Sequence, residues 1–85
     1  MRVEPIFKPN DYIINRTCGD MAIIDKITPK NYYHLKAYYD AMFDELKDVK
    51  NKNYDLQVNY QKFYDLCTEE ERESFEKIIK EKGES

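Results

Sequence analysis

His34 is the only histidine of the chain, and Cys18 and Cys67 are its only cysteines. A His–Cys or His–carboxylate dyad is the general-base or nucleophile chemistry these residue types would support. Their spacing brings none of them together locally, so His34 reads as an exposed histidine of a strand. Cys18 stands beside Gly19 in a turn, where main-chain N–H groups can lower a thiol's pKa; the plainer reading is a small residue in a hairpin loop. Cys67 directly precedes a helix cap among apolar neighbours and reads as packing. Asp40, Asp44 and Asp48 would share a face if their segment were helical, and they read as solvated, because the turn glycine and bidentate glutamate of a calcium loop are missing. Paired-carboxylate, P-loop, HExxH and nucleophile-elbow patterns are missing too. The expectation is a non-enzymatic protein with no catalytic residue, no metal and no cofactor.

One set of residues points to binding. Tyr12, Tyr32, Tyr33, Tyr38 and Tyr39 are interspersed with Arg16, Lys26, Lys30 and Lys36. Aromatic rings on a sheet among cations can anchor a protein partner or stack single-stranded bases. If 32–39 is a strand, alternation sends Tyr33, Leu35, Ala37 and Tyr39, the more core-like set, to one side. Tyr32, His34, Lys36 and Tyr38 fall on the other, and these four are the candidate partner-binding residues.

Several elements must position them. Pro9-Asn10-Asp11 is turn chemistry, and the lead-in before it offers Val3, Ile6 and Phe7 for packing. Strands are expected at about 11–16 and 21–27, joined by a turn in which Gly19 supplies positive φ. Two readings compete for 28–49. Tyr32, Leu35, Tyr39, Met42, Leu46 and Val49 follow a helical period behind a Thr28-Pro29 start, giving a helix over 29–49 packed on a small sheet. Alternatively, 28–31 is a turn and 32–39 a strand, which adjacent tyrosines favour. Strict alternation of Tyr54, Leu56, Val58 and Tyr60 predicts a strand at 54–60. Thr68 and Glu71 form a capping box, and Phe75, Ile78 and Ile79 a stripe, for a helix at 69–82; Gly83 is its expected stop.

Composition bounds the function. The 85 residues are expected to form a single domain over 1–85. Charged residues make up 36% and both signs are interleaved. The net charge of −3 divides into +2 for residues 1–39 (six basic, four acidic) and −5 for residues 40–85 (eight basic, thirteen acidic). That balance lacks the basic footprint of a nucleic-acid binder, so single-stranded nucleic acid ranks second to a protein partner. No apolar run is long enough to span a membrane. The opening MRVEPIFKPND has no apolar signal region, so a cytoplasmic setting with reduced thiols is expected and the Asn15-Arg16-Thr17 sequon reads as chance.

Phe7-Lys8-Pro9-Asn10-Asp11 and the Thr68-Glu69-Glu70-Glu71 box resemble the two ends of a loose group of small uncharacterised proteins from Bacteroides-type bacteria and their phages and mobile elements. Asn10 stands where that pattern usually has glycine, and asparagine tolerates positive φ. The resemblance covers about a quarter of the chain and rests on structural punctuation. It implies an α+β fold, a small SH3-like curled sheet or barrel with a C-terminal helix, with 32–39 as a strand. The function expected from all this is an interaction protein of phage or mobile-element type, one that inhibits a host defence or nucleic-acid-binding protein.

Overall fold

The computed structural model describes residues 3–83. Six antiparallel strands form an open, curled sheet, followed by one helix: β1 Tyr12–Ile14, β2 Met21–Ile27, β3 Tyr32–Asp40, β4 Glu45–Leu46, β5 Asp55–Gln57, β6 Asp65–Leu66 and α1 Glu69–Gly83. The order is β4-β3-β2-β1-β6, with β5 pairing on β3 as well. The expected fold class is found as a curled sheet plus helix, and the sheet does not close into a barrel.

The helical reading of 29–49 is overturned. Thr28–Asn31 makes a tight turn in which the Thr28 N–H donates to the Tyr32 carbonyl at 2.8 Å and the Tyr32 N–H donates to Thr28 Oγ1 at 3.2 Å. Asn31 supplies the left-handed residue at φ 66°, and nine residues of strand follow. The helical spacing of the apolar residues here arises because both faces of β3 are covered. Asn10 likewise adopts φ 74°, the conformation glycine would take there.

Two residues break the strand alternation. Ile23 pairs with Ala37 and Ile24 with Leu35, so Lys36 is an extra residue in β3; Ile24 with Leu35 and Lys26 with His34 make Asp25 extra in β2. Each bulge reverses which face the following side chains occupy. Tyr33 and Leu35 therefore share a face with Tyr38, and Ile24 shares it with Ile27; there they meet Phe7, Ile13 and Val58. The opposite face carries Met21, Ile23, Ala37 and Tyr39, covered by Phe75, Ile78 and Ile79 of α1. The central β2 is buried on both faces at Met21–Ile24, so one sheet carries two small cores.

The strand expected at 54–60 stops at Gln57 and continues as a 3-10 turn over Val58–Phe63. Tyr54, Leu56 and Val58 pack on the first core as alternation requires. The chain then leaves the sheet, so Tyr60 stays exposed and Gln61 turns inward. Gln61 Oε1 accepts from the Ile6 N–H at 2.9 Å and from the Tyr33 hydroxyl, while its Nε2 donates to the Glu4 carbonyl at 2.7 Å. This buried amide holds the N-terminal segment on the sheet. At α1 the capping box is complete: the Glu71 N–H donates to Thr68 Oγ1 at 3.2 Å, and the Thr68 N–H donates to Glu71 Oε1 at 2.8 Å.

Candidate functional site

The four residues expected to bind a partner do not form one surface. Tyr38 is the correction. The bulge at Lys36 turns its ring to the first core, 5.7 Å from Tyr54, and its hydroxyl donates to Asp20 Oδ2 at 3.0 Å. Burial, reinforced by the Asp20 carboxylate, raises its phenol above the ordinary value. Tyr32 is half-buried opposite Gln57. Lys36 is exposed and donates to Asn10 Oδ1. His34 lies opposite Asp55, with Nδ1 at 2.8 Å from Asp55 Oδ1. This is the His–carboxylate contact that spacing alone did not bring together. Its other ring nitrogen has no hydrogen-bond partner among the described residues, so a nucleophile that would make it a catalytic unit is not joined to it.

The cysteines are free thiols. Cys67 packs beside the second core, and burial pushes its thiol up to about 11, which leaves it protonated and a weak nucleophile at neutral pH. Among the described residues no group of three or more His, Cys, Asp or Glu is placed to hold a metal ion. No described helix is long and apolar enough to cross a membrane.

What the fold does present is the β3–β4 turn. Met42 is 77% exposed and Phe43 70% exposed, the two most exposed large apolar side chains among the described residues. The turn beneath them is held at many points. Asp40 Oδ1 accepts from the Met42 N–H at 3.1 Å and the Phe43 N–H at 3.4 Å, an Asx-type closure. Asp20 Oδ1 accepts from the Ala41 N–H at 2.9 Å. Asp44 takes the left-handed conformation at φ 49° and its N–H donates to the Ala41 carbonyl at 3.3 Å.

Asp44 also ties the turn to the sheet and the helix. Its carboxylate accepts from the Tyr39 hydroxyl through Oδ1 and from Lys82 Nζ through Oδ2 at 3.3 Å. The Tyr39 hydrogen bond first, and Lys82 second, hold this carboxyl below the usual carboxylate range. On the other side Gly19 sits at φ 87°, and a Cβ there would lie 3.3 Å from the Ala41 Cβ. The result is a rigid tip bearing two adjacent apolar side chains, flanked by Asp40, Asp44 and Glu45. Sequence reasoning missed this tip because the helical stripe claimed Met42. The signal available was an apolar pair bracketed by Asp40 and Asp44, residues that close turns through their side chains.

A second apolar surface lies on the 3-10 turn, where the Tyr60 and Phe63 rings are 6.2 Å apart and Lys62 Nζ is 5.3 Å from the Phe63 ring. Comparison with protein-family models, with curated proteins and with solved structures finds no match.

Proposed function

We propose that this chain is a non-enzymatic interaction protein that binds a protein partner, with Met42 and Phe43 entering an apolar pocket that has a basic rim. The observation that carries this reading is the exposure of two large apolar side chains on a turn already fixed by hydrogen bonds. A fixed turn gives up little conformational freedom on binding, so burial of Met42 and Phe43 goes into affinity. Adjacent exposed apolar residues in a small domain mark contact sites. Asp44 is paired with Lys82, and Asp40 and Glu45 with Lys47; it is the net charge of −5 over residues 40–85 that favours a positively charged counterpart. A basic rim fits a nucleic-acid-binding protein of the host as the partner. The role is that of an inhibitor of a host defence or nucleic-acid-binding protein, of phage or mobile-element type, supported by the acidic balance of residues 40–85, and the setting is the cytoplasm.

The test is affinity against the partner captured from the native cells. Met42→Ser and Phe43→Ser should each weaken binding by more than about 1 kcal/mol and leave the melting curve in place. Binding that survives both changes removes the tip from the interface. Salt-sensitive retardation of single-stranded oligonucleotides would favour the nucleic-acid reading instead.

A further inference from the structure

The outer edge of β3 is paired at its two ends and open between them. β5 takes Tyr32–His34 and β4 takes Tyr39 and Asp40. Lys36 and Ala37, at the bulge, have no strand beside them on that edge among the described residues. A cleft of about 510 Å³ opens there, between the bulge, β4 with the segment after it, and the C-terminal end of α1.

Its floor is aliphatic, formed by Ala37, Leu46, Val49 and Ile79. Its walls carry Lys36, Lys47, Lys50, Lys80 and Lys82. Five of the 14 basic residues of a chain with net charge −3 thus border one cleft. Three are already engaged: Lys36 with Asn10, Lys47 with Glu45 at 3.3 Å, and Lys82 with Asp44 at 3.3 Å. Lys80 makes no side-chain hydrogen bond or ion pair among the described residues. The Lys50 ammonium makes none either, but its charge, with the Lys50 backbone N–H, helps hold the Asp48 carboxyl below the usual carboxylate range. Among the described lining residues the one carboxylate is Asp48, which accepts from Asn51 through both oxygens, at 3.3 Å and 2.7 Å, and also from the Lys50 backbone N–H.

Compensation of the carbonyl end of α1 accounts for Lys80 and Lys82. It does not account for Lys36, Lys47 and Lys50, which come from the sheet and the segment after β4. We propose that the cleft binds an acidic peptide segment. An apolar side chain of the peptide packs on the aliphatic floor. Its carboxylates meet the two ammonium groups that make no side-chain hydrogen bond or salt bridge among the described residues, Lys80 first and Lys50, beside Asp48, second. Charge complementarity selects an anion, and the aliphatic floor selects a peptide over single-stranded nucleic acid, because among the described residues no aromatic ring lines the cleft for a base to stack on. This site is separate from the β3–β4 tip and stands if that reading fails.

The probe is a fluorescein-labelled peptide of alternating Asp and Glu around a central Leu, titrated with the full chain and read by fluorescence anisotropy. Saturable binding is expected, weaker at about 300 mM than at about 50 mM salt. Lys50→Gln combined with Lys80→Gln, both at exposed positions, should weaken it about tenfold and lower the melting curve only slightly, by what the loss of Lys80 at the carbonyl end of α1 costs. The Gln/Asn counterpart of the peptide should not bind, and Met42→Ser/Phe43→Ser should bind the acidic peptide as the unmodified chain does. Absence of saturable binding, equal affinity of the Lys50/Lys80 variant, or displacement of the peptide by a tighter-binding single-stranded oligonucleotide would overturn the proposal.

Discussion

Tyr38 lies on the same face of the sheet as Leu35, three residues before it, because Lys36 is an extra residue in β3. An uninterrupted strand would put them on opposite faces. This one residue moves Tyr38 into the first core, brings Ala37 and Tyr39 under α1, and leaves an unpaired stretch of strand edge beside the lysine cleft.

Tyr38 should therefore behave as a packing residue. Tyr38→Ala should cost about 2 kcal/mol in urea unfolding, the scale for burying a large side chain. Tyr38→Phe should cost about 1 kcal/mol, the scale of the lost hydroxyl hydrogen bond to Asp20. Unchanged stability in both variants would place the ring on the surface.

Gln61 is the polar counterpart of that core. Gln61→Leu leaves the Tyr33 hydroxyl and the Ile6 N–H without their shared acceptor. A loss of about 1–3 kcal/mol is expected, with faster amide exchange at Ile6 and Phe7, whose N–H groups also donate to the Tyr33 hydroxyl at 3.1 Å and 3.2 Å. Exchange unchanged at those two amides would mean the segment is held by other contacts.

At the helix, Phe75 is fully buried, so Phe75→Ala should cost about 3–5 kcal/mol. Thr68→Ala should cost about 0.5–2 kcal/mol through the cap. Glu71 also accepts from Arg16 Nη1 at 2.7 Å and Nη2 at 3.1 Å, so Thr68→Ala and Arg16→Ala should be non-additive in a double-mutant cycle. Simple additivity would show that the cap and the ion pair act separately.

Stability should fall at both ends of the pH range. The Tyr38 phenol is raised by burial and by Asp20. Its contribution is therefore complete below the ordinary phenol value of about 10 and is lost as pH rises through the higher folded-state value. Glu71, lowered chiefly by Arg16, and Asp44, lowered chiefly by Tyr39, contribute above the ordinary carboxylate range and lose that contribution as pH falls through their depressed values. Urea midpoints measured across pH should show both limbs. Tyr38→Phe should flatten the alkaline limb and Glu71→Gln the acid one.

Most of the architecture was legible in the residues, and what was not legible has identifiable physical causes. Adjacent tyrosines at 32/33 and 38/39 announce a strand because both faces of β3 are covered. The Thr68–Glu71 box announces α1 because its bonds are local. The bulges at Asp25 and Lys36 leave no such local signature, since they arise from pairing between strands, and the candidate face of Tyr32, His34, Lys36 and Tyr38 was drawn across one of them. The two-residue strands β4 and β6 are too short to show a period. The 3-10 turn at Val58–Phe63 follows from the inward placement of Gln61, a contact 28 residues away at Tyr33 and 55 at Ile6. The tip and the lysine cleft are likewise products of tertiary placement.

The most direct measurement of the central claim is site-specific photo-crosslinking in the native cell. A photoreactive phenylalanine analogue is placed at Phe43 and, in a separate variant, at Glu73 on the exposed side of α1. A discrete protein adduct is expected from position 43, absent from position 73 and lost when Asp40→Ala loosens the turn. Adducts of equal yield from both positions, or none from position 43 when the protein is folded and expressed, would contradict it.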